Sequence, residues 1–192
     1  MTMERSVGPG TVGFLLGFVF AFVFLFAGGY VYLRYGHPPV ATADPSFPME
    51  AQIVHVPLDA RIRRELKSAP FGVSEPGLEA GAHIYKAECA ACHGIPGQDV
   101  ASAKWMFPVA PQLWVKHGHG VVGVSDDEAG ETYWKVDNGI RLTGMPAYQH
   151  ILSEEQMWQV SLLLKNADQP MSPTVMGILT AQANPLPSPV EK

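Results

Sequence analysis

An uninterrupted apolar segment near the amino terminus limits the structures that this chain can form. Residues 12–33 contain no charged side chain, and six of the nine phenylalanines lie among them. A helix of this length is about 33 Å long, which matches the hydrocarbon thickness of a bilayer, about 30 Å. Tyr30 and Tyr32, followed by Arg34, are typical of a membrane–water interface. The sequence predicts a single transmembrane helix over residues 12–33.

A cleaved signal peptide is the alternative interpretation of this segment. Ala27, Gly28 and Gly29 could supply the small residues of a cleavage site. The apolar run continues beyond them through Val31 and Leu33, which favours an uncleaved anchor. The Lys and Arg residues on the two sides of the segment do not fix its orientation.

Small residues recur every fourth position on the same predicted helix, at Gly13, Gly17 and Ala21. Such a stripe allows a second transmembrane helix to approach closely, which makes a helix partner one interpretation. The other interpretation is ordinary membrane-helix composition, because glycine is common in such helices.

Proline-rich segments flank the central part of the chain. Residues 37–57 contain five prolines and predict an extended, semi-rigid spacer. The segment Leu58–Ala69 predicts a short basic helix, which either rests on anionic lipid headgroups or is simply solvated within the linker. From Pro170 onward, the prolines predict a tail that is extended or disordered.

The signals between these segments are helical. Two candidate capping boxes precede apolar runs: Ser125 with Glu128, and Ser153 with Gln156. No convincing alternation typical of strands is present. The sequence therefore predicts an all-α domain over residues 76–168, with a core small enough to gain much from a large apolar cofactor. A formal net charge of −5 argues against nucleic-acid binding.

The only two cysteines lie in the sequence Cys89-Ala90-Ala91-Cys92-His93. C-x-x-C-H is the signature of covalent haem attachment. Two thiols three positions apart on one helical turn can both reach the vinyl groups along one edge of a porphyrin. His93 then lies beneath the iron and supplies an axial nitrogen. We predict one haem c, bound through Cys89 and Cys92.

Other uses of the two cysteines are less well supported. A structural zinc site needs four ligands, usually from two such pairs, and the chain has no second cysteine pair. A redox-active C-x-x-C pair is typical of a βαβ context, which the sequence lacks. A structural disulfide does not form easily within one helical turn.

The chain resembles a class I c-type cytochrome over residues 76–168. The residues that carry the resemblance are Gly81, Tyr85, Cys89, Cys92, His93 and Gly94, followed by the run Thr143-Gly144-Met145-Pro146-Ala147-Tyr148. The resemblance implies an all-helical fold around one haem, in which the first and last helices cross. It also implies that Gly81 and Tyr85 pack against the last helix, which would contribute Trp158.

Met145 is the predicted sixth ligand of the iron. Gly144 and Pro146 flank it in a turn-rich stretch between two predicted helices, and such a loop can bring a thioether to the iron. Met157 fits the role of core filler instead. His117 and His119, in a glycine-flanked loop, are rival ligands for iron or another metal, although such histidines are more often solvated.

Further residues are predicted around the haem. The family resemblance assigns to Pro111 the carbonyl that accepts a hydrogen bond from His93 and fixes its ring. Arg141, four residues before Met145, is either a partner of a haem propionate or an ordinary exposed arginine. Three tryptophans are predicted to be pocket walls: Trp105, Trp114 and Trp134.

A haem with both axial positions filled by His93 and Met145 favours electron transfer over catalysis, with a relatively high potential. We therefore expect an electron-transfer protein and not an enzyme. The alternative is a haem enzyme or gas sensor in which Met145 is displaced. A third possibility is a purely structural membrane subunit, which would require that the C-x-x-C-H motif no longer binds haem.

The family resemblance further implies attachment of the haem outside the cytoplasm. We thus expect a single-pass protein of the bacterial inner membrane with its haem domain in the periplasm. Its redox partners would be a quinol-oxidising complex or dehydrogenase and a terminal oxidase or reaction centre, and the chain would be a free carrier or a fixed subunit. The predicted organisation is a cytoplasmic amino terminus over residues 1–11, the helix over 12–33, the linker with its basic helix over 34–75, the haem domain over 76–168 and the tail over 169–192.

Overall fold

The apolar segment forms one continuous helix. The computed structural model describes residues 9–181, apart from the side chains of Pro9 and His119. Helix α1 spans Pro9–Tyr35 and contains the predicted segment 12–33. By length and composition it could cross a membrane. The mean hydropathy of its most apolar part is 2.4, and no residue of that part is buried. Residues 1–8, part of the predicted amino-terminal segment, lie outside the described residues.

In the rest of the described chain, the regular secondary structure is mostly helical. The described chain divides into two units, one that ends at Phe47 and one that begins at Pro48. The helices of the second unit are α2 (Glu50–Glu65), α3 (Glu75–Ile84), α4 (Ala90–His93), α5 (Ala129–Asn138), α6 (Glu154–Lys165) and α7 (Pro173–Thr180). Two short antiparallel strands, β1 (Lys116–His117) and β2 (Val121–Val122), form a small hairpin. The predicted all-α class is confirmed.

The core of the second unit lies where α3 and α6 pack against each other. Tyr85, just after α3, and Trp158 and Leu163 on α6 are almost completely buried. Tyr133 of α5 stacks on Trp158 with ring centroids 4.1 Å apart. The expected packing of Gly81 is also present, because a Cβ on this residue would lie 2.5 Å from the carbonyl oxygen of Gln159.

Replacing Gly81 with alanine is expected to destabilise the folded protein by about 1–3 kcal/mol, because the added methyl group forces α3 away from the α6 backbone. Gly177 in α7 is the matched control, since a Cβ there meets nothing within 4 Å. Gly177→Ala should leave stability unchanged or raise it by about 0.5–1 kcal/mol. Thermal unfolding of the two variants followed by circular dichroism measures the difference. Equal melting temperatures would refute close packing at Gly81.

The linker contains more helix than the sequence suggested. An extended spacer was expected through Pro57, but α2 begins at Glu50 and includes Pro57 in its interior. Tertiary contacts compensate for the lost hydrogen bond at the proline. Ile62 is 3 % exposed, and Glu65 accepts a 2.7 Å hydrogen bond from Nε1 of Trp134. The carboxyl-terminal part of α2 thus packs on α5, and the predicted basic helix is neither separate nor fully solvated.

The contact between α2 and α5 should depend on pH. The hydrogen bond from Trp134, followed by that from Arg61, lowers the pKa of Glu65 below its usual 4.5. A carboxyl group whose pKa is lower in the folded than in the unfolded state stabilises the fold above its ordinary pKa, and this contribution is lost as pH falls through the lowered value. The melting temperature of wild type should therefore be higher than that of Glu65→Gln at pH 7, and this difference in melting temperature should disappear in acid. A difference that is independent of pH would count against this role.

The predicted extended tail is wrong for residues 173–180, which form α7. Ser172 caps this helix, and Pro173 occupies its first position, where the missing N–H costs nothing. Val175 and Leu179 of α7 are completely buried against the core. Lys86 donates a 2.9 Å hydrogen bond to the carbonyl of Leu179 and so caps the end of the helix. Residues 182–192 lie outside the described residues.

The two predicted capping boxes have different outcomes. Ser153 and Gln156 form a complete capping box at the start of α6, as predicted. The prediction for Ser125 and Glu128 is wrong, because α5 begins only at Ala129. Ser125 instead accepts a 3.2 Å hydrogen bond from the backbone N–H of Val122. Its hydroxyl stabilises the local turn, which competes with capping.

Candidate haem site

The two cysteines follow directly on the helix that forms the core. After α3, the chain makes a π-helical turn over Tyr85–Cys89 and continues into α4. Both Cys89 and Cys92 have free thiols and are partly buried. Cys89 lies against the apolar core. Burial, followed by the negative charge of Glu88, raises the pKa of Cys89 to about 12, so this thiol is neutral at pH 7.

The ring of His93 is fixed by a backbone carbonyl. Its Nδ1 donates a 2.8 Å hydrogen bond to the carbonyl oxygen of Pro111, the residue to which the resemblance assigned this contact. With Nδ1 occupied as a donor, Nε2 is the nitrogen available to a metal. A carbonyl acceptor on the far nitrogen is the usual way in which proteins orient a ligating histidine.

Gln112, which the sequence analysis missed, holds the segment around His93 together. Its Oε1 accepts a 2.8 Å hydrogen bond from the N–H of Val100. Its Nε2 donates to the carbonyls of Cys92 and Ala110, at 3.0 and 3.1 Å. One side chain thus links the attachment motif, the loop after it and the segment that contains Pro111. A lone glutamine in a loop has no spacing pattern that could have revealed this role.

Replacing Gln112 with leucine should destabilise the protein by about 1–3 kcal/mol, because it leaves partly buried backbone groups without partners. Gln112→Glu keeps the acceptor for Val100 but loses the donor to Cys92 and Ala110, so its stability should be intermediate. Urea unfolding of the three proteins gives the order. A leucine variant as stable as wild type would show that the contacts contribute nothing.

Two buried tyrosines tie the attachment motif to its surroundings. Tyr85 donates a 2.7 Å hydrogen bond to the carbonyl of Gly94, and burial raises the pKa of its hydroxyl. Tyr148 donates a 2.8 Å hydrogen bond to the carbonyl of Glu88, just before the first cysteine. Burial, with the nearby Cys89 and Glu88, raises the pKa of Tyr148 to about 12. Both hydroxyls therefore remain protonated donors at neutral pH.

Met145 lies in a tightly hydrogen-bonded loop. Thr143 donates through its hydroxyl to the carbonyl of Ile140 at 2.7 Å and accepts from the N–H of Met145 at 3.1 Å. The N–H of Ile140 donates in turn to the carbonyl of Met145 at 3.3 Å. The Met145 side chain is partly buried against the same core as Cys89. Because Tyr148 lies three residues further on, its bond to Glu88 fastens this loop to the attachment segment.

The remaining predicted site residues have other surroundings. Arg141 is exposed, and its side chain makes no hydrogen bond or ion pair with the described residues, so its role at a propionate stays a prediction. Nε2 of His117 donates a 2.5 Å hydrogen bond to the carbonyl of Gly123. The side chain of His119 lies outside the described part of the structure. Within that part, no three His, Cys, Asp or Glu residues cluster as a metal site.

The three tryptophans predicted to be pocket walls have different surroundings. Trp114 meets the Tyr85 ring edge-on, with centroids 5.5 Å apart. Trp134 instead packs beneath α2 through its bond to Glu65. Trp105 is 74 % exposed, with the ammonium of Lys104 over its ring. Trp134 is therefore a contact between α2 and α5, whereas the part of Trp105 as a pocket wall stays a prediction.

Comparison with protein families agrees with this geometry. A family model described as "Cytochrome C oxidase, cbb3-type, subunit III" matches residues 76–162. These residues form a class I c-type cytochrome domain. The matched part of this cytochrome domain includes the attachment motif, Pro111 and Met145. No curated protein and no solved structure matches the chain.

The family implies a covalently bound haem, and the donor set of the cytochrome domain fits one. Cys89 and Cys92 lie on one turn, His93 is oriented by Pro111, and Met145 lies in a loop fastened to that turn. The core cluster against which Cys89 and Met145 pack also has Ala90, Ile95, Trp114 and Leu152 packed on it. Two thiols, an imidazole and a thioether suit a haem iron better than a hard cation.

Proposed function

We propose that the chain is a membrane-anchored monohaem c-type cytochrome that transfers single electrons between respiratory or photosynthetic complexes. The observation that carries this proposal is the bond from Tyr148 to Glu88, which joins the Met145 loop to the residue just before the Cys89–His93 motif. Two axial donors on connected backbone segments favour iron with no open position. Haem iron supplies one-electron chemistry at a potential that its axial ligands set.

Several residues of this chain would hold such a group in place. Cys89 and Cys92 would attach it, and His93 and Met145 would hold the iron. The hydrogen bonds of Pro111, Gln112 and Tyr148 fix the backbone on both sides, so little reorganisation is expected when the charge changes. A rigid site with filled axial positions suits a carrier better than a haem enzyme or gas sensor.

Carbon monoxide added to the reduced full-length protein tests this function. We expect no change in the absorption spectrum, together with rapid reversible oxidation and reduction, because Met145 keeps the sixth position filled. Tight binding of carbon monoxide by wild type would contradict the carrier function and support an enzyme or sensor with a displaceable ligand.

The proposal places α1 in the bacterial inner membrane and the cytochrome domain in the periplasm. Its support is the length and apolar composition of α1 and the resemblance of the domain to cytochromes that receive haem outside the cytoplasm. Reporter fusions after Gly36 test the topology: alkaline phosphatase should be active there, and a cytoplasmic reporter should be inactive. The reverse pattern, or release of the protein from membranes by alkaline carbonate, would oppose the proposed anchor.

The match to an oxidase-subunit family favours a fixed subunit over a free carrier. The stripe of Gly13, Gly17 and Ala21 on α1 offers a surface for a transmembrane partner. Mild detergent extraction followed by size-exclusion chromatography separates the two cases. Elution with further redox subunits supports the fixed form, and elution alone supports the carrier.

A further inference from the structure

Helix α2 has two sides with different surroundings. Ile62 is buried against the cytochrome domain at 3 % exposure. Ile53 lies nine residues earlier, about two and a half helical turns away, and therefore on the opposite side. Ile53 is 63 % exposed and Val56 is 68 % exposed. Branched apolar side chains thus point away from the domain on the free side of this helix.

We define the outward face of α2 as Ile53, Val56 and Arg64, which share this side at helical spacing. Arg64 ends the face, and the exposed Arg63 flanks it. Exposed apolar side chains and arginines are both groups that can contact an anionic membrane interface.

The opposite side of α2 couples it to the cytochrome domain. Besides Ile62, the bond between Glu65 and Trp134 joins this helix to α5. The next residues pack equally closely, since a Cβ on Gly130 would clash with the backbone carbonyl of Lys67. Because the other side of α2 packs on the cytochrome domain, any surface that binds the outward face also orients that domain.

The bilayer is the occupant that these features fit. Residues 36–49, between α1 and α2, can extend over at most about 50 Å, so a membrane-embedded α1 keeps the outward face near the bilayer. This tethering raises the local concentration of the face at lipid, so that a weak contact suffices. An arginine near an anionic surface strengthens binding about fivefold, and the face has Arg64 with Arg63 beside it.

We propose that the outward face of α2 binds the surface of an anionic bilayer and thereby sets the orientation of the cytochrome domain. This inference rests on the proposed anchoring by α1. It assigns α2 the role of a second, interfacial membrane contact, separate from the transmembrane helix.

Spin labels in the full-length holoprotein test the contact. Three single-cysteine variants are labelled, with the haem occupying the native cysteines: Ile53→Cys on the outward face, Ala51→Cys as the control on the Ile62 side of α2, and Phe20→Cys within α1. Each is placed in vesicles of phosphatidylglycerol with phosphatidylethanolamine, and in vesicles of phosphatidylcholine alone. The accessibility of each label to oxygen and to a water-soluble nickel chelate is measured.

The proposal expects the Ile53→Cys label to lose access to nickel and gain access to oxygen in anionic vesicles, while the Ala51→Cys label stays accessible to nickel. Replacing Arg63 and Arg64 with glutamine should weaken the binding of the outward face to anionic vesicles by about 25-fold at low salt, and the Ile53→Cys label should then regain access to nickel. A label at Ile53 as accessible to nickel as that at Ala51 in anionic vesicles, or shielded only when another protein is added, would overturn it. Phe20→Cys separates the two failures: shielding at Phe20 without shielding at Ile53 refutes the α2 contact alone, whereas an unshielded Phe20 refutes the anchor.

Discussion

Replacing Met145 with alanine is expected to abolish the methionine–iron charge-transfer band of the oxidised protein and to lower its reduction potential by about 0.1–0.3 V, within the range of about 0.8 V that axial ligands set. The physical reason is that a thioether sulfur is softer than water or imidazole and stabilises ferrous iron. The reduced variant should also bind carbon monoxide, because the sixth position becomes open. Absorption spectroscopy and potentiometric titration measure these changes.

Met106 provides the matched control for this experiment. Its Cε lies 3.0 Å from the position that a Cβ on Gly144 would occupy, so this second methionine approaches the same loop. Met106→Ala should retain the charge-transfer band and a potential close to that of wild type. If the band were lost in Met106→Ala and retained in Met145→Ala, the ligand would be Met106, and the prediction of Met145 would be wrong.

Replacing both Cys89 and Cys92 with serine is expected to eliminate covalent haem completely. Serine cannot form a thioether, and these are the only cysteines of the chain. Cys92→Ser alone leaves a single thiol at the partly buried Cys89, so haem attached by one bond should shift the absorption maximum of the pyridine complex. Denaturing gel electrophoresis with haem staining, together with that spectrum, gives the result.

Ala91→Ser is the control for the cysteine variants, because it changes an exposed residue between the two thiols without touching either. It should bind as much covalent haem as wild type. Haem that remains bound to the double serine variant after acid–acetone extraction would be incompatible with attachment through this motif.

The helices that form the core were predictable because their signals are local. The Ser153 capping box marks the start of α6, and a short sequence window contains all that such a feature needs. The expectation that Gly81 packs against the last helix came from the family resemblance instead, and the structure places Gly81 against Gln159 of α6.

The positions of α2 and α7 could not be predicted from the local sequence, because long-range packing overrides local composition. Pro57 signals extended chain, yet Ile62 and the bond between Glu65 and Trp134 bring residues far apart in sequence into contact. The prolines after Asp168 likewise indicated a tail, whereas burial of Val175 and Leu179 stabilises a helix there. Proline content predicts local backbone preference but not the tertiary contacts that outweigh it.

The residues of the candidate site could be predicted from the sequence to different extents. Cys89, Cys92 and His93 follow from a motif whose spacing the chemistry itself requires. The position of Pro111 came from family resemblance alone, and the structure supplies its 2.8 Å contact with His93. Gln112 was missed because its role arises only when three separate segments fold together. The parts played by Met145 and Arg141 at the iron and the propionates remain predictions.

Mass spectrometry of the tryptic peptide that contains the attachment motif tests the central claim most directly. Trypsin cleaves after Lys86 and Lys104, so residues 87–104 form one peptide with both cysteines. The account predicts that this peptide from the full-length protein, isolated from native membranes, carries the added mass of one haem and no free thiol. A peptide of unmodified mass with two alkylatable thiols would contradict it.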